Sequence, residues 1–375
     1  MRPREVGAWS PHRSGGSRPV TALLALPAGA VVSCVAGIAS LHVPGPVSRP
    51  IADRWAEKST PLTGGFGLLV GFVLALVVSA HGGQLDDRLR DVALAGTAAF
   101  VLGLCDDYRW IGPRTKFAGQ LAIAAGTASV IRPSWLPAAA AVPVGTFVLL
   151  AAMNSFNLLD NIDGLAAGTA AIAAGTLALM TLFVGDTGVV RTLACAVAGT
   201  CIGFLPLNYR RGRAALFMGD SGAHLLGLLV GVCALMATPS GAGGISVTVV
   251  APLLILALPV LDTSLVILVR LAERRPIWRG GRDHLSHRLV YVGLGERQAV
   301  AALLLLAAAC AGTALLVAAF DDPLVTGGAA GAVVALLVGL GSRLSLVREP
   351  FPVAALLTSQ ESAQVAPVRE HAHAN

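Results

Sequence analysis

Between two apolar segments lies Asn154-Ser155-Phe156-Asn157-Leu158-Leu159-Asp160-Asn161-Ile162-Asp163-Gly164, which carries three amides and two carboxylates in ten residues. Such groups at the mouth of an apolar helix are costly unless they hold a metal, a polar substrate or one another. Asn154, Asn157 and Asn161 fall at i, i+3 and i+7, so a helix continued through them presents all three amides on one face. Asp160 and Asp163 lie on a neighbouring face, and Gly164 can end the turn. The plainer alternative is a helix end capped by its own Asn and Asp.

Other reactive residue types sit in short polar connections. Adjacent carboxylates at Asp106 and Asp107 can share a divalent cation or accept a proton, or simply finish a helix in water. Gly219-Asp220 opens an apolar run and sets a carboxylate at a helix N-terminus, where the dipole favours it even as a plain N-cap. Lys116, Arg282 and Arg288 suit phosphate oxygens, although cations beside apolar runs also report topology. His284 and His287, three apart, can meet a phosphate or move a proton, or form a surface pair.

The elements that must position these groups follow from composition. The 375 residues are 55% hydrophobic and 13% charged, with mean hydropathy +0.74. A soluble domain carries about a quarter charged residues, so the class is an all-α, polytopic integral membrane protein. The net charge of +6 then speaks for topology and against nucleic acid. The six cysteines lie in or beside apolar runs without metal-like spacing. Residues 1–19 read as a disordered N-terminal tail, 20–343 as a single helical catalytic domain, and 344–375 as a C-terminal cytoplasmic tail. Within the domain about eleven transmembrane helices are expected, at 20–43, 63–80, 91–104, 117–132, 136–153, 164–184, 188–207, 221–238, 246–270, 299–319 and 324–341.

Connections after the odd-numbered spans hold most of the loop Lys and Arg, which makes them cytoplasmic by the positive-inside rule. The Arg-rich N-terminal tail runs against this, and the loops outvote it. The same connections hold every reactive group named above, so the polar chemistry gathers at one membrane face. A transporter or lipid flippase, the rival from another class, should carry such groups near mid-membrane instead.

Taken together and in this order, the motifs resemble those of the polyprenyl-phosphate N-acetylhexosamine-1-phosphate transferase superfamily (glycosyltransferase family 4), over about residues 47–340. The resemblance implies transfer of a sugar 1-phosphate from a UDP-sugar to a membrane polyprenyl phosphate, with release of UMP. It implies Mg²⁺, with Mn²⁺ as a substitute, at Asn157 and Asp220. It gives Asp106 and Asp107 a catalytic or acceptor-binding role and Lys116 a phosphate contact. Asp160 and Asp163 match acidic positions of the bacterial branch. By the same resemblance Asp163, His284 and His287 are catalytic candidates, and by position and residue type Asn154, Asp160, Asn161, Arg282 and Arg288 are substrate-binding ones.

Two departures stand out. The family usually has Gly where this chain has Asn161, and adjacent histidines before Arg-Leu where this chain has Ser286-His287-Arg288-Leu289. The peptidoglycan translocase branch carries a triple-His pattern that is missing here, which favours a plain UDP-N-acetylhexosamine, with UDP-GlcNAc first, over UDP-muramoyl peptide. The phospho-MurNAc-pentapeptide transferase remains the runner-up within the superfamily. The implied partners are the nucleotide sugar, undecaprenyl or decaprenyl phosphate and membrane lipid, with a homodimer allowed. The implied location is the plasma (inner) membrane, and the implied role is the first membrane step of a cell-envelope polysaccharide. In a variant stripped of native cysteines, a cysteine at Arg279 should react with an impermeant thiol reagent only from the cytoplasmic side, and one at Ser240 only from outside. Reversed labelling would overturn the orientation.

Overall fold

A computed structural model describes residues 19–48, 59–80, 85–133, 135–184, 188–211, 213–237, 246–277, 281–320 and 322–348. Apolar backbone in lipid must satisfy its own hydrogen bonds, and Ala- and Leu-rich runs do so as helices. The chain begins with α1 (Pro19–Ser40). A short antiparallel pair follows, β1 (Val47–Ser48) and β2 (Thr60–Pro61), with Val47 opposite Pro61. Next come α2 (Gly64–Ser79), α3 (Asp87–Asp107), α4 (Pro113–Ile131) and α5 (Ala138–Leu159). They are followed by α6 (Leu165–Met180), α7 (Gly188–Asn208) and α8 (Gly219–Met236). A π-helical turn, Ser246–Val250, leads into α9 (Ala251–Ile255) and α10 (Ala257–Ala272). The last elements are α11 (Leu285–Tyr291), α12 (Glu296–Phe320) and α13 (Pro323–Ser345).

Each expected apolar segment falls on a helix. Six helices (α1, α5, α7, α8, α12 and α13) are long and apolar enough to cross a membrane, and the bent α9–α10 pair would add a seventh. Among the others, α2 and α6 are apolar but only 16 residues each. The ninth expected span is broken, with α9 and α10 inclined at 67°. Pro259 explains the break: it has no N–H to give the Ile255 carbonyl, and its ring crowds that oxygen. The fifth span runs past residue 153 to Leu159, so Asn154 and Asn157 lie in its last turns. Asn161 lies beyond the helix, which corrects the expectation of three amides on one face. The reversal is fixed by Gly164 in the left-handed region, at φ 85°, whose N–H donates to Asn208 Oδ1 at 2.7 Å. α13 continues two residues beyond the expected boundary at 344. The remainder of both expected tails, with Arg279 and Ser240, lies outside the described residues.

α8 is buried along nearly its whole length, enclosed by α2, α3, α5, α6 and α7. The peripheral helices instead turn apolar side chains outward, Leu324 of α13 at 86% exposure being the extreme. An apolar surface of that kind is stable against lipid, not water. α1 crosses α7 closely because Gly199 and Gly203 lie one turn apart, and a Cβ on either would land on the carbonyl oxygen of Leu26 or Ala30. Gly199→Ala should therefore cost about 1–3 kcal/mol through overpacking. Thermal unfolding in detergent should show a clear drop in Tm, while Gly175→Ala, which meets open space, should show none.

Candidate active site

Four helix ends meet: the C-terminal ends of α3 and α5 and the N-terminal ends of α4 and α8. Pro113 starts α4 and puts Lys116 in its first turn. Its ammonium donates to Asp106 Oδ2 at 2.7 Å and to Asp220 Oδ2. One turn further along α4 and α8 stand Gln120 and His224. His224 Nε2 is 2.9 Å from Gln120 Nε2 and 3.2 Å from Asn157 Nδ2. Gln120 and Asn157 thus meet the same ring nitrogen of His224. Asn157, donating through Nδ2, keeps Oδ1 to accept from or coordinate another partner. Asn154 Nδ2 donates to the Leu150 carbonyl at 2.8 Å and lies against Gln120 at 3.4 Å. A layer of charge thus rests on a layer of amides and imidazole.

Asp107 plays a different part from its neighbour. Its carboxylate accepts the backbone N–H of Asp220 at 2.8 Å and of Ser221 at 3.1 Å, and so caps α8 from another helix. Gly219 makes room: its φ is 68°, and a Cβ there would stand 2.6 Å from Asp107 Oδ2. The plain N-cap alternative for Asp220 is therefore corrected. α8 has no side-chain cap of its own, and the Asp220 carboxylate turns to Lys116 because Asp107 already takes the N-terminal amides.

A second group surrounds the α5–α6 turn. Asp160 is the residue after α5, its N–H on the Phe156 carbonyl at 3.1 Å. Asp163 accepts from the Ala214 backbone; burial raises its pKa to about 6, aided by Glu296 and opposed by that bond and Arg213. A carboxyl that ionises there can exchange protons near neutral pH. Asn161 Oδ1 accepts the Ser286 hydroxyl. His284 Nδ1 lies 2.8 Å from Asp262 Oδ2, while Asp262 Oδ1 accepts the Leu285 N–H at 2.7 Å. The His284 and His287 rings meet edge to face, centroids 5.7 Å apart. Burial holds His287 at a pKa of about 4, with His284 and Arg282 adding repulsion and Asp262 opposing. His287 is therefore neutral at physiological pH. Burial alone would raise the Asp283 carboxyl, but Arg275 and Arg270 bring it below its ordinary value.

The structure thus brings Asp106, Asp107, Lys116, Asn154, Asn157 and Asp220 into one cluster, and Asn161, Arg282, His284 and His287 into another. Arg288 joins the second cluster only through its Nε, on the Asp283 carbonyl at 2.7 Å, and turns the rest of its guanidinium to α13. Its Nη1 donates to the carbonyls of Leu344, Ser345 and Val347 at 2.8, 3.1 and 2.6 Å, capping the end of α13. Sequence reasoning missed Gln120, His224 and Asp262. The first two had a signal, each being four residues after a cation or carboxylate already singled out. Asp262 had a stronger one, as a lone acid inside an apolar span.

The first cluster suits a hard divalent cation. Lys116 shows that Asp106 and Asp220 converge on a single positive charge, and Asn157 lies in the amide layer beside it, against His224. Among the described residues no three His, Cys, Asp or Glu side chains form a metal-holding group.

Residues 89–238 match the family described as glycosyl transferase family 4. A decaprenyl-phosphate N-acetylglucosaminephosphotransferase of Mycolicibacterium smegmatis is 32% identical over 303 residues, covering 68% of this chain and 71% of that protein. A probable undecaprenyl-phosphate N-acetylglucosaminyl 1-phosphate transferase of Bacillus subtilis is 27% identical over 274 residues, covering 69% and 74%. A phospho-N-acetylmuramoyl-pentapeptide-transferase of Desulforamulus reducens is 33% identical over 255 residues, covering 55% and 74%.

The division of labour between the adjacent aspartates is testable. Asp107→Asn sets an NH₂ group against an amide of α8 and should cost about 1–3 kcal/mol, read as a lower Tm in detergent. Asp106→Asn caps no helix and should leave the Tm close to that of the unaltered protein.

Proposed function

Because the chain belongs to glycosyl transferase family 4, we propose that it transfers GlcNAc 1-phosphate from UDP-GlcNAc to undecaprenyl or decaprenyl phosphate, releasing UMP. The observation that carries this reading is Lys116 held between Asp106 and Asp220 where four helix ends meet. Its relatives of the polyprenyl-phosphate N-acetylglucosamine branch align over two thirds of the chain, whereas the pentapeptide-transferase relative aligns over 55%. Together with the missing triple-His pattern, this favours the plain sugar donor. The enzyme works as a single domain of eleven membrane crossings, with its site on the cytoplasmic face of the plasma membrane. It catalyses the first membrane step of an envelope polysaccharide.

In the reaction an oxygen of the polyprenyl phosphate attacks the phosphorus that bears the sugar. The bond from that phosphorus to the UMP oxygen breaks, and UMP leaves with the electron pair. The chief obstacle is the approach of two anions. Lys116 offers a fixed cation at the meeting point, and Asp106 and Asp220 hold it there. Mg²⁺ bound by Asp220 and Asn157 would screen the donor pyrophosphate and stabilise charge on the leaving phosphate. A phosphate monoester has a second pKa near 6, so the acceptor is largely dianionic at pH 7 and needs no obligatory base. Asp107 then serves by fixing the start of α8, and Asp163 is one carboxyl whose ionisation near neutral pH suits it to moving a proton.

Purified protein with Mg²⁺, undecaprenyl phosphate and a panel of UDP-sugars should release UMP with UDP-GlcNAc and not with UDP-muramoyl pentapeptide. Asp220→Asn should lower that rate by at least about 10²–10³ while keeping most of its thermal stability, since it caps nothing. Turnover of the peptide-bearing donor alone, or near-normal turnover by Asp220→Asn, would overturn the reading.

A further inference from the structure

α11 carries Ser286 and His287 on seven residues, with His284 at its N-cap, and a helix so short does not stand unaided. The pose of these side chains is therefore set by what α11 docks onto. One anchor is Asp262, which takes both the His284 ring and the Leu285 N–H. The other is Asn161. Ser286 is fully buried, and its hydroxyl donates to Asn161 Oδ1. Asn161 Nδ2 in turn donates to the Leu158 carbonyl at 2.8 Å, which holds the amide in place at the end of α5. The next residue, His287, hydrogen-bonds the backbone of the same Asn161. Two consecutive residues of α11 thus grip one residue of the α5–α6 turn, by side chain and by main chain.

Asn161 and Ser286 are also the two positions at which the chain departs from the pattern it otherwise resembles, glycine at the first and histidine at the second. Asn161 is not among the residues with positive φ, so its backbone makes no demand for glycine. Space is the remaining link between the two positions. Passing from Asn to Gly removes about four side-chain heavy atoms, and passing from Ser to His adds about four, so the paired exchange nearly conserves volume.

We propose that Asn161 and Ser286 form a positioning pair: their hydrogen bond docks α11 on the α5–α6 turn and sets the pose of His287. Neither residue needs to touch substrate; both act through His287. Either single exchange breaks the arrangement, because Asn161→Gly strands a buried hydroxyl and Ser286→His forces a ring against the amide.

The test is a double-mutant cycle of N161G, S286H and N161G/S286H, with S286A as a milder deletion of the hydroxyl alone. Thermal unfolding in detergent and UMP release from UDP-GlcNAc are measured for each. Each single variant should lower the Tm and cut kcat by about ten-fold, with KM for undecaprenyl phosphate unchanged, and the double should regain most of both losses. S286A should show the same split between kcat and KM even if S286H fails to fold. Strictly additive losses in Tm and in log kcat would overturn the pair. The kinetic arm rests on the transferase reading and the thermal arm does not. Coupling in Tm without any UMP release would therefore count against that reading alone.

Discussion

A helix that begins inside a bundle has amide N–H groups that water cannot reach, and everything at this site depends on how α8 meets that constraint. Its first residues carry no capping side chain, and the carboxylate of Asp107, at the end of α3, accepts two of the amides instead. That contact joins α3 to α8 where Gly103 lets the two backbones approach closely. It also frees Asp220 from local hydrogen bonding, so that its carboxylate can share Lys116 with Asp106. Had Asp220 capped its own helix, the charge cluster would lose one of its walls. The two adjacent aspartates therefore do unlike work because consecutive residues at a helix end point in different directions.

Much of this was legible in the sequence. Apolar runs placed every span-like helix, and loop polarity gathered the reactive groups on one side, because the cost of burying charge in lipid leaves few other arrangements. The finer features were set by contacts distant in sequence. The end of α5 depends on Asn208, 44 residues beyond Gly164, and no local pattern announces such a partner. The broken ninth span had a visible cause in Pro259, masked by the continuous hydropathy around it. Arg288 looked like a phosphate ligand by type, but its Nη1 is taken up by the carbonyls at the end of α13, which no local pattern announces.

The second cluster obeys the same economy of charge. Arg270 is almost fully buried, which is tolerable only because its guanidinium meets Asp283 at 3.1 Å and the Ile277 carbonyl at 2.8 Å. Arg275 joins Asp283 and Glu273. These pairs close the path between α10 and α11 and hold Asp283 ionised beside His284. These ion pairs hold the described residues flanking α11 in place, as a side chain must be held if it is to meet a reacting group in one orientation.

The capping of α13 by Arg288 has a mechanical meaning. α13 is the least enclosed of the helices long and apolar enough to cross a membrane. Its last carbonyls are gripped by the residue next to His287. The residue that follows His287 thus ties the most exposed of these helices to the short helix that carries the histidine pair.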